Sequence, residues 1–225
     1  MRGVILKTGY EAVIFDMDGV IFDTEAVYLE SCVTAAKLLG MGDVRELCLS
    51  CIGITAEKTK EKYAGAFGDT QLLEKFWVCA KELARGQFEK EIPVKSGARE
   101  ILEYLNSKNI PLVLASSTKT EIVIKELIQT NLFRFFKKII GGDTVQHSKP
   151  HPEIFLKASD IIKIPPEKCI VIEDSFNGVR AAKAAGMQCV MIPDLLQPDD
   201  EISSLADYIM PSLDELKKQM ESDNL

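Results

Sequence analysis

The stretch Val13-Ile14-Phe15-Asp16-Met17-Asp18-Gly19-Val20-Ile21-Phe22-Asp23-Thr24 passes abruptly from an apolar run into carboxylates. A short run of Val, Ile and Phe bounded by turn residues is the pattern of a strand buried on both faces, as in the middle of a parallel sheet. Side chains along a strand alternate with a period of two, so Asp16 and Asp18 project to one side if the strand geometry persists to its end. Two carboxylates held that close repel, and one takes up a proton unless a cation intervenes. A hard cation that prefers oxygen ligands, such as Mg²⁺, removes the conflict. Gly19 then lets the backbone turn without a Cβ penalty.

The chain of 225 residues has room for one large domain or for a domain with an inserted module. After the first strand, at residues 11–16, its character changes. Glu25–Leu39 carries apolar residues at helical spacing and Gly40 stops it. Asp43–Cys51, Ala56–Ala66 and Thr70–Phe88 read as further helices, and no strand-like run interrupts them. Residues 25–91 are therefore expected to form an all-helical insertion, with residues 1–24 and 92–225 as the core. In the core, helices are expected at Gly97–Lys108, Thr120–Thr130, Pro152–Ile161, Asn177–Ala185 and Leu213–Met220. Strands are expected at Leu112–Ala115, Lys137–Ile140, Cys169–Ile172, Gln188–Ile192 and Ala206–Met210. Strands alternating with helices predict an α/β fold with a doubly wound parallel sheet.

In such sheets ligands bind outside the carboxyl ends of the strands. Asp16 and Asp18 follow the first strand, Ser116 the second, and Glu173 and Asp174 the fourth; Lys149 lies in the loop after the third. Each residue type suits phosphoryl transfer. A carboxylate, Asp16, can attack phosphorus. A second, Asp18, can protonate the leaving oxygen and then activate water. The Ser116 hydroxyl and the Lys149 ammonium can hold the equatorial oxygens, where charge must be stabilised. Mg²⁺ held by Asp16, Asp18, Glu173 and Asp174 would permit anion-on-anion attack. Glu173 could equally orient Lys149, and Asn177 could orient or cap the site.

Four segments in order resemble the motifs of the haloacid dehalogenase (HAD) superfamily. The first is Asp16-Met17-Asp18-Gly19-Val20-Ile21-Phe22-Asp23-Thr24, similar to its β-phosphoglucomutase-like phosphatase branch. The second is Ala115-Ser116-Ser117, the third Ser148-Lys149-Pro150-His151-Pro152-Glu153-Ile154-Phe155, and the fourth Val171-Ile172-Glu173-Asp174-Ser175-Phe176-Asn177-Gly178. The resemblance implies a Rossmann-like core with a helical cap of the C1 type. It implies phosphate binding by Ser116 and Lys149, with Ser117 and Lys119 beside them. An acid two residues after the nucleophile favours phosphomonoester chemistry, because an alkoxide leaving group needs a proton and the dehalogenase and phosphonatase branches typically lack it. The β-phosphoglucomutases carry a cap Arg and a His shortly after the first motif; the aligned positions here are Ala56 and Tyr28. Lys58 or Lys60 would be a point charge in place of the Arg fork. The expectation is a Mg²⁺-dependent phosphatase for a small phosphorylated metabolite, a sugar phosphate first and phosphoglycolate second. A sugar phosphomutase, or a HAD-fold binding protein with little turnover, is the alternative. Cap closure over substrate is expected to hinge at Thr24–Glu25 and Glu91–Pro93.

Composition narrows the remaining classes. Hydrophobic residues are 46%, charged residues 27%, and the net charge is −7, which disfavours nucleic acid as a partner. Met1–Tyr10 lacks the long apolar region of a signal peptide, and no run approaches the ~20 apolar residues of a membrane span. The expected setting is cytoplasmic, as a monomer by default, with no membrane partner and the six cysteines reduced. Cys48-Leu49-Ser50-Cys51 lacks a second ligand pair and a βαβ setting, so it reads as ordinary thiols. His147 and His151, flanking Lys149, read as loop residues rather than zinc ligands.

Overall fold

The first strand, β1 (Ala12–Phe15), is buried at all four positions, as a strand covered on both faces requires. In the computed structural model of the chain, β1 lies in a six-stranded sheet with β2 (Leu112–Ala115), β3 (Lys138–Ile140), β4 (Cys169–Glu173), β5 (Gln188–Met191) and β6 (Tyr208–Ile209). The order is β3-β2-β1-β4-β5-β6 and every pairing is parallel. The connectivity reverses between β1 and β4, where a doubly wound sheet opens a crevice at its carboxyl edge. The structure describes residues 9–52 and 56–222. The signal-peptide reading of the first eight residues, Gly53, Ile54, Thr55 and the side chains of Ala56, Glu57 and Lys58 lie outside the described residues.

The chain divides into two compact units, Met1–Phe22 with Val94–Leu225, and Asp23–Pro93. In the first, the helices are α5 (Ala98–Ser107), α6 (Thr120–Gln129), α7 (Glu153–Ile162), α8 (Phe176–Ala184), α9 (Asp200–Leu205) and α10 (Leu213–Ser222). One core packs Ile14, Val113 and Val171 of the sheet against Phe155 and Ala158 of α7 and Val179 and Ala182 of α8. The second unit holds α1 (Thr24–Leu38), α2 (Arg45–Leu49), α3 (Ala56–Phe67) and α4 (Thr70–Phe88). Its own core centres on Tyr63 and Phe76, whose rings stack at 5.3 Å, with Trp77 4.7 Å from Tyr63. Asp69 caps α4 by accepting from the Gln71 and Leu72 amides at 3.0 and 3.1 Å.

Two element readings are corrected. The last strand is the two-residue Tyr208–Ile209 rather than Ala206–Met210. Before it lies α9, a helix that the sequence reading omits; Asp199 caps it through the Ile202 amide at 2.8 Å. Its six residues bury only Ile202, too little for a periodic signal. Among the described residues, no helix is long and apolar enough to cross a membrane.

Candidate active site

The β1–β4 pairing continues one residue beyond the strand: the Asp16 amide donates to the Ile172 carbonyl at 3.0 Å. That hydrogen bond holds Asp16 rigidly at the carboxyl edge of the sheet, with Glu173 ending the neighbouring strand. The loop after β3 brings Lys149 to both of them. Its ammonium donates to Asp16 Oδ1 and, at 2.6 Å, to Glu173 Oε1. All three side chains are nearly inaccessible. The Lys149 ammonium also lies 4.9 Å from the centroid of the Phe155 ring.

Asp16, Glu173 and Asp174 form the acidic side of the cluster, each offering an oxygen within 4.8 Å of the others. Glu173 Oε2 accepts from the Asp174 amide (2.9 Å), the Ser175 amide (2.8 Å) and the Ser175 hydroxyl (3.0 Å). Ser175 Oγ in turn accepts from the Gly178 amide at 3.1 Å and caps α8. Two glycines make room. A Cβ on Gly178 would stand 1.8 Å from Glu173 Oε1, and one on Gly19, where φ is +81°, would stand 2.2 Å from Asp174 Oδ2.

Burial pushes the Asp16 carboxyl up to about 8, against the pull of the Lys149 ammonium, with the Glu173 and Asp18 charges adding to the push. For Lys149, burial acts to lower the value, but Asp16 and Glu173 outweigh it and hold the ammonium above its ordinary range. The cluster thus sets the Lys149 ammonium among three carboxyl groups. A hard divalent cation fits this donor set, since oxygen ligands alone are present and a second positive charge relieves their repulsion.

Asp18 faces elsewhere. Its Oδ2 accepts from the Thr118 hydroxyl at 2.9 Å and, at the limit of a hydrogen bond, from Ser116 Oγ at 3.5 Å. Ser116 Oγ accepts from the Thr118 amide at 2.9 Å. The structure therefore brings together Asp16, Lys149, Glu173 and Asp174, and separately Asp18 with Ser116. The Asp18 carboxylate is not part of the three-carboxyl cluster. Ser117 and Lys119 are exposed, Lys119 at the N-cap position of α6. Asn177 Oδ1 accepts from Arg180 Nη1 at 3.2 Å. Tyr28, in the helical unit, packs edge-on against Phe88.

Three participants were not singled out from sequence. Thr118 lies two residues past Ser116, and a second hydroxyl at that spacing is the signal that could have found it. Ser175 follows the two acids directly. Glu126, on α6, has a carboxyl that burial pushes up to about 7, with the Asp18 charge adding to it; nothing in its local sequence marks it.

Comparison with known proteins places the chain in a family. The profile of the family described as haloacid dehalogenase-like hydrolase matches residues 13–192. The phosphorylated carbohydrates phosphatase of Thermotoga maritima is 36% identical over 79% of this chain and 82% of its own length. The mitochondrial (DL)-glycerol-3-phosphatase 1 of Arabidopsis thaliana is 31% identical over 92% of this chain and 72% of its own. The crystal structure of a candidate β-phosphoglucomutase from Thermotoga maritima superposes with a TM-score of 0.79 at 31% identity, covering 94% of this chain and 99% of that one. By the reach of that profile and the names of these relatives, the chain belongs to the haloacid dehalogenase-like hydrolase family and is an enzyme of its phosphatase type.

Proposed function

We propose that this chain is a Mg²⁺-dependent phosphatase that hydrolyses a small phosphorylated metabolite through an aspartyl-phosphate on Asp16. The observation that carries this reading is the pairing of Asp16 with Lys149 inside a buried three-carboxylate cluster, with a separate carboxyl, Asp18, held on hydroxyls. Asp16, Glu173 and Asp174 would hold the cation, which would supply neutralisation of the negative charge at the site. Lys149 fixes the Asp16 carboxylate and offsets charge on the phosphoryl group. Ser116 holds a phosphoryl oxygen, and Ser117 and Lys119 stand at the outer edge of the same strand end.

An Asp16 oxygen attacks phosphorus, and the bond from phosphorus to the substrate oxygen breaks. Asp18 gives its proton to that oxygen as the alcohol leaves. Asp18 then takes a proton from water, which attacks the aspartyl-phosphate. Phosphate departs and the Asp16 carboxylate is restored. Asp18 must rotate away from Thr118 to face the leaving group.

The names of the relatives support a phosphorylated carbohydrate as first substrate class, with phosphoglycolate second. The helical segment 25–91 would be the cap that selects the substrate. Similarity to a candidate β-phosphoglucomutase supports a mutase as the second reading; Ala56 and Tyr28 at the aligned Arg and His positions weigh against it.

The test is phosphate release from a panel of sugar phosphates, glycerol phosphate, phosphoglycolate and nucleotides, with and without Mg²⁺. Asp16→Asn is the control, and isomerisation of β-glucose 1-phosphate is followed in parallel. Mg²⁺-dependent release lost in the control is the expected result. Isomerisation without net release would replace the phosphatase reading with the mutase.

A further inference from the structure

A second cluster of side chains able to ligate a metal, two from the loop that carries Lys149 and one from the start of α7, takes no part in the chemistry above. His147 and His151 sit on either side of that lysine, and their rings lie 4.5 Å apart, inclined at 34°. Both turn toward Glu153. His147 Nδ1 is 2.9 Å from Glu153 Oε2, and His151 Nδ1 is 4.0 Å from the same oxygen. One atom from each of the three residues lies within 4.8 Å of the other two.

We propose that His147, His151 and Glu153 bind a divalent transition-metal ion of the Zn²⁺, Co²⁺ or Ni²⁺ type. Bonds of about 2.0–2.1 Å at a tetrahedral angle place ligand atoms roughly 3.3–3.4 Å apart. The two nitrogen-to-Oε2 separations, 2.9 and 4.0 Å, bracket that spacing. His147 need withdraw by less than half an ångström, and His151 need approach by somewhat more. Both rings are at least half exposed, and His151 Nδ1, which accepts from the Glu153 amide at 3.3 Å, would exchange that hydrogen bond for the metal. Glu153 is already fixed, because Oε1 accepts from the Gln146 amide at 2.8 Å and Oε2 from the His147 amide at 3.0 Å. Two imidazoles with one carboxylate suit borderline metals, whereas Mg²⁺ favours oxygen ligands. Three protein ligands leave a fourth position for water. The site shares its loop with Lys149 and shares no side chain with the acidic cluster.

The chain has two histidines in all, so its imidazole NMR spectrum holds two sets of signals, assignable with His147→Ala and His151→Ala. The full-length protein is titrated with ZnCl₂ in excess Mg²⁺, and then with CoCl₂ to use its paramagnetic shifts. Both imidazoles are expected to respond together and to saturate at one equivalent. Each single variant should weaken zinc binding at least about tenfold, the lower bound seen for lesser perturbations of metal sites. Response of a single imidazole, response of neither, or unchanged zinc affinity in the double variant would overturn the proposal. The wild-type titration needs no variant to fold and reads no turnover, so its outcome is independent of the phosphatase reading.

Discussion

Lys149 is buried with two carboxylates as its only charged hydrogen-bond partners among the described residues. Replacing it by the isosteric Met leaves Asp16 and Glu173 without their cation. Removing one partner of a buried pair costs roughly 3–5 kcal/mol. For a chain of this size that is a fall in melting temperature of about 6–20 °C. Lys149→Met should show it by differential scanning calorimetry at pH 7. An unchanged melting temperature at pH 7 would mean that the ion pairs contribute nothing to stability. Glu126 is the opposite case, a carboxyl raised by burial. Its folded state holds a proton that the unfolded chain releases near pH 4.5, so stability is lost as pH rises from there to about 7. Glu126→Gln removes that loss. The variant should gain on the order of 1 kcal/mol over wild type at pH 8 and little at pH 4, after allowance for the solvent reaching this half-buried group. A gain equal at both pH values would contradict the assignment. Sequence marks neither Glu126 nor the turn of Asp18 toward Thr118. A side chain's rotamer is chosen by partners far away in the chain, and Thr118 is remote from Asp18 in sequence.

At the scale of elements, the turn from β4 into α8 is where backbone and site chemistry meet. Gly178 sits in the first turn of α8, and by helix propensity alone Ala there should be favoured by about 1 kcal/mol. The clash with Glu173 Oε1 at 1.8 Å decides otherwise. Glu173 would have to leave Lys149 and its two amides together. Gly178→Ala should therefore destabilise by roughly 2–4 kcal/mol, measured by urea denaturation, and should also weaken Mg²⁺ binding. A stabilised variant would mean that Glu173 moves without consequence. These elements were largely readable in advance. Val13–Phe15, Leu112–Ala115 and Cys169–Ile172 are continuous apolar runs, and burial on both faces leaves no other reading. Their polar ends fall at one edge because the strands are parallel. The short α9 and the shortened β6 were not readable, since a few residues with one buried side chain carry no period.

At the scale of the whole molecule, the two compact units each have a hydrophobic core. The helical unit is inserted between Phe22 and Val94, and these two residues pair as an antiparallel bridge. Next to them, the Lys95 amide donates to the Ile21 carbonyl at 2.9 Å, while within the inserted unit the Asp23 amide donates to the Pro93 carbonyl at 2.9 Å. The insertion therefore begins and ends at adjacent points of a short antiparallel ladder, the geometry that a two-residue hairpin turn closes. Replacing residues 23–93 by Asn-Gly should leave an α/β unit that folds by itself. Its sheet order, its core around Ile14 and Phe155, and the Asp16–Lys149–Glu173 contacts all lie outside the removed segment. Closing the chain early also shortens a loop, which for a flexible segment lowers the entropy lost on folding by about 3 kcal/mol, a gain that supplements the core rather than replacing it. The excised protein is expected to unfold in one cooperative transition by circular dichroism and to keep Mg²⁺-induced stabilisation, which Asp174→Asn abolishes. Activity toward its preferred substrate should fall far more than activity toward a small generic phosphomonoester, because the nucleophile remains and the proposed selecting unit is gone. Loss of the cooperative transition would show that the α/β core depends on the inserted helices, and equal loss toward both substrates would remove segment 25–91 from the determinants of specificity.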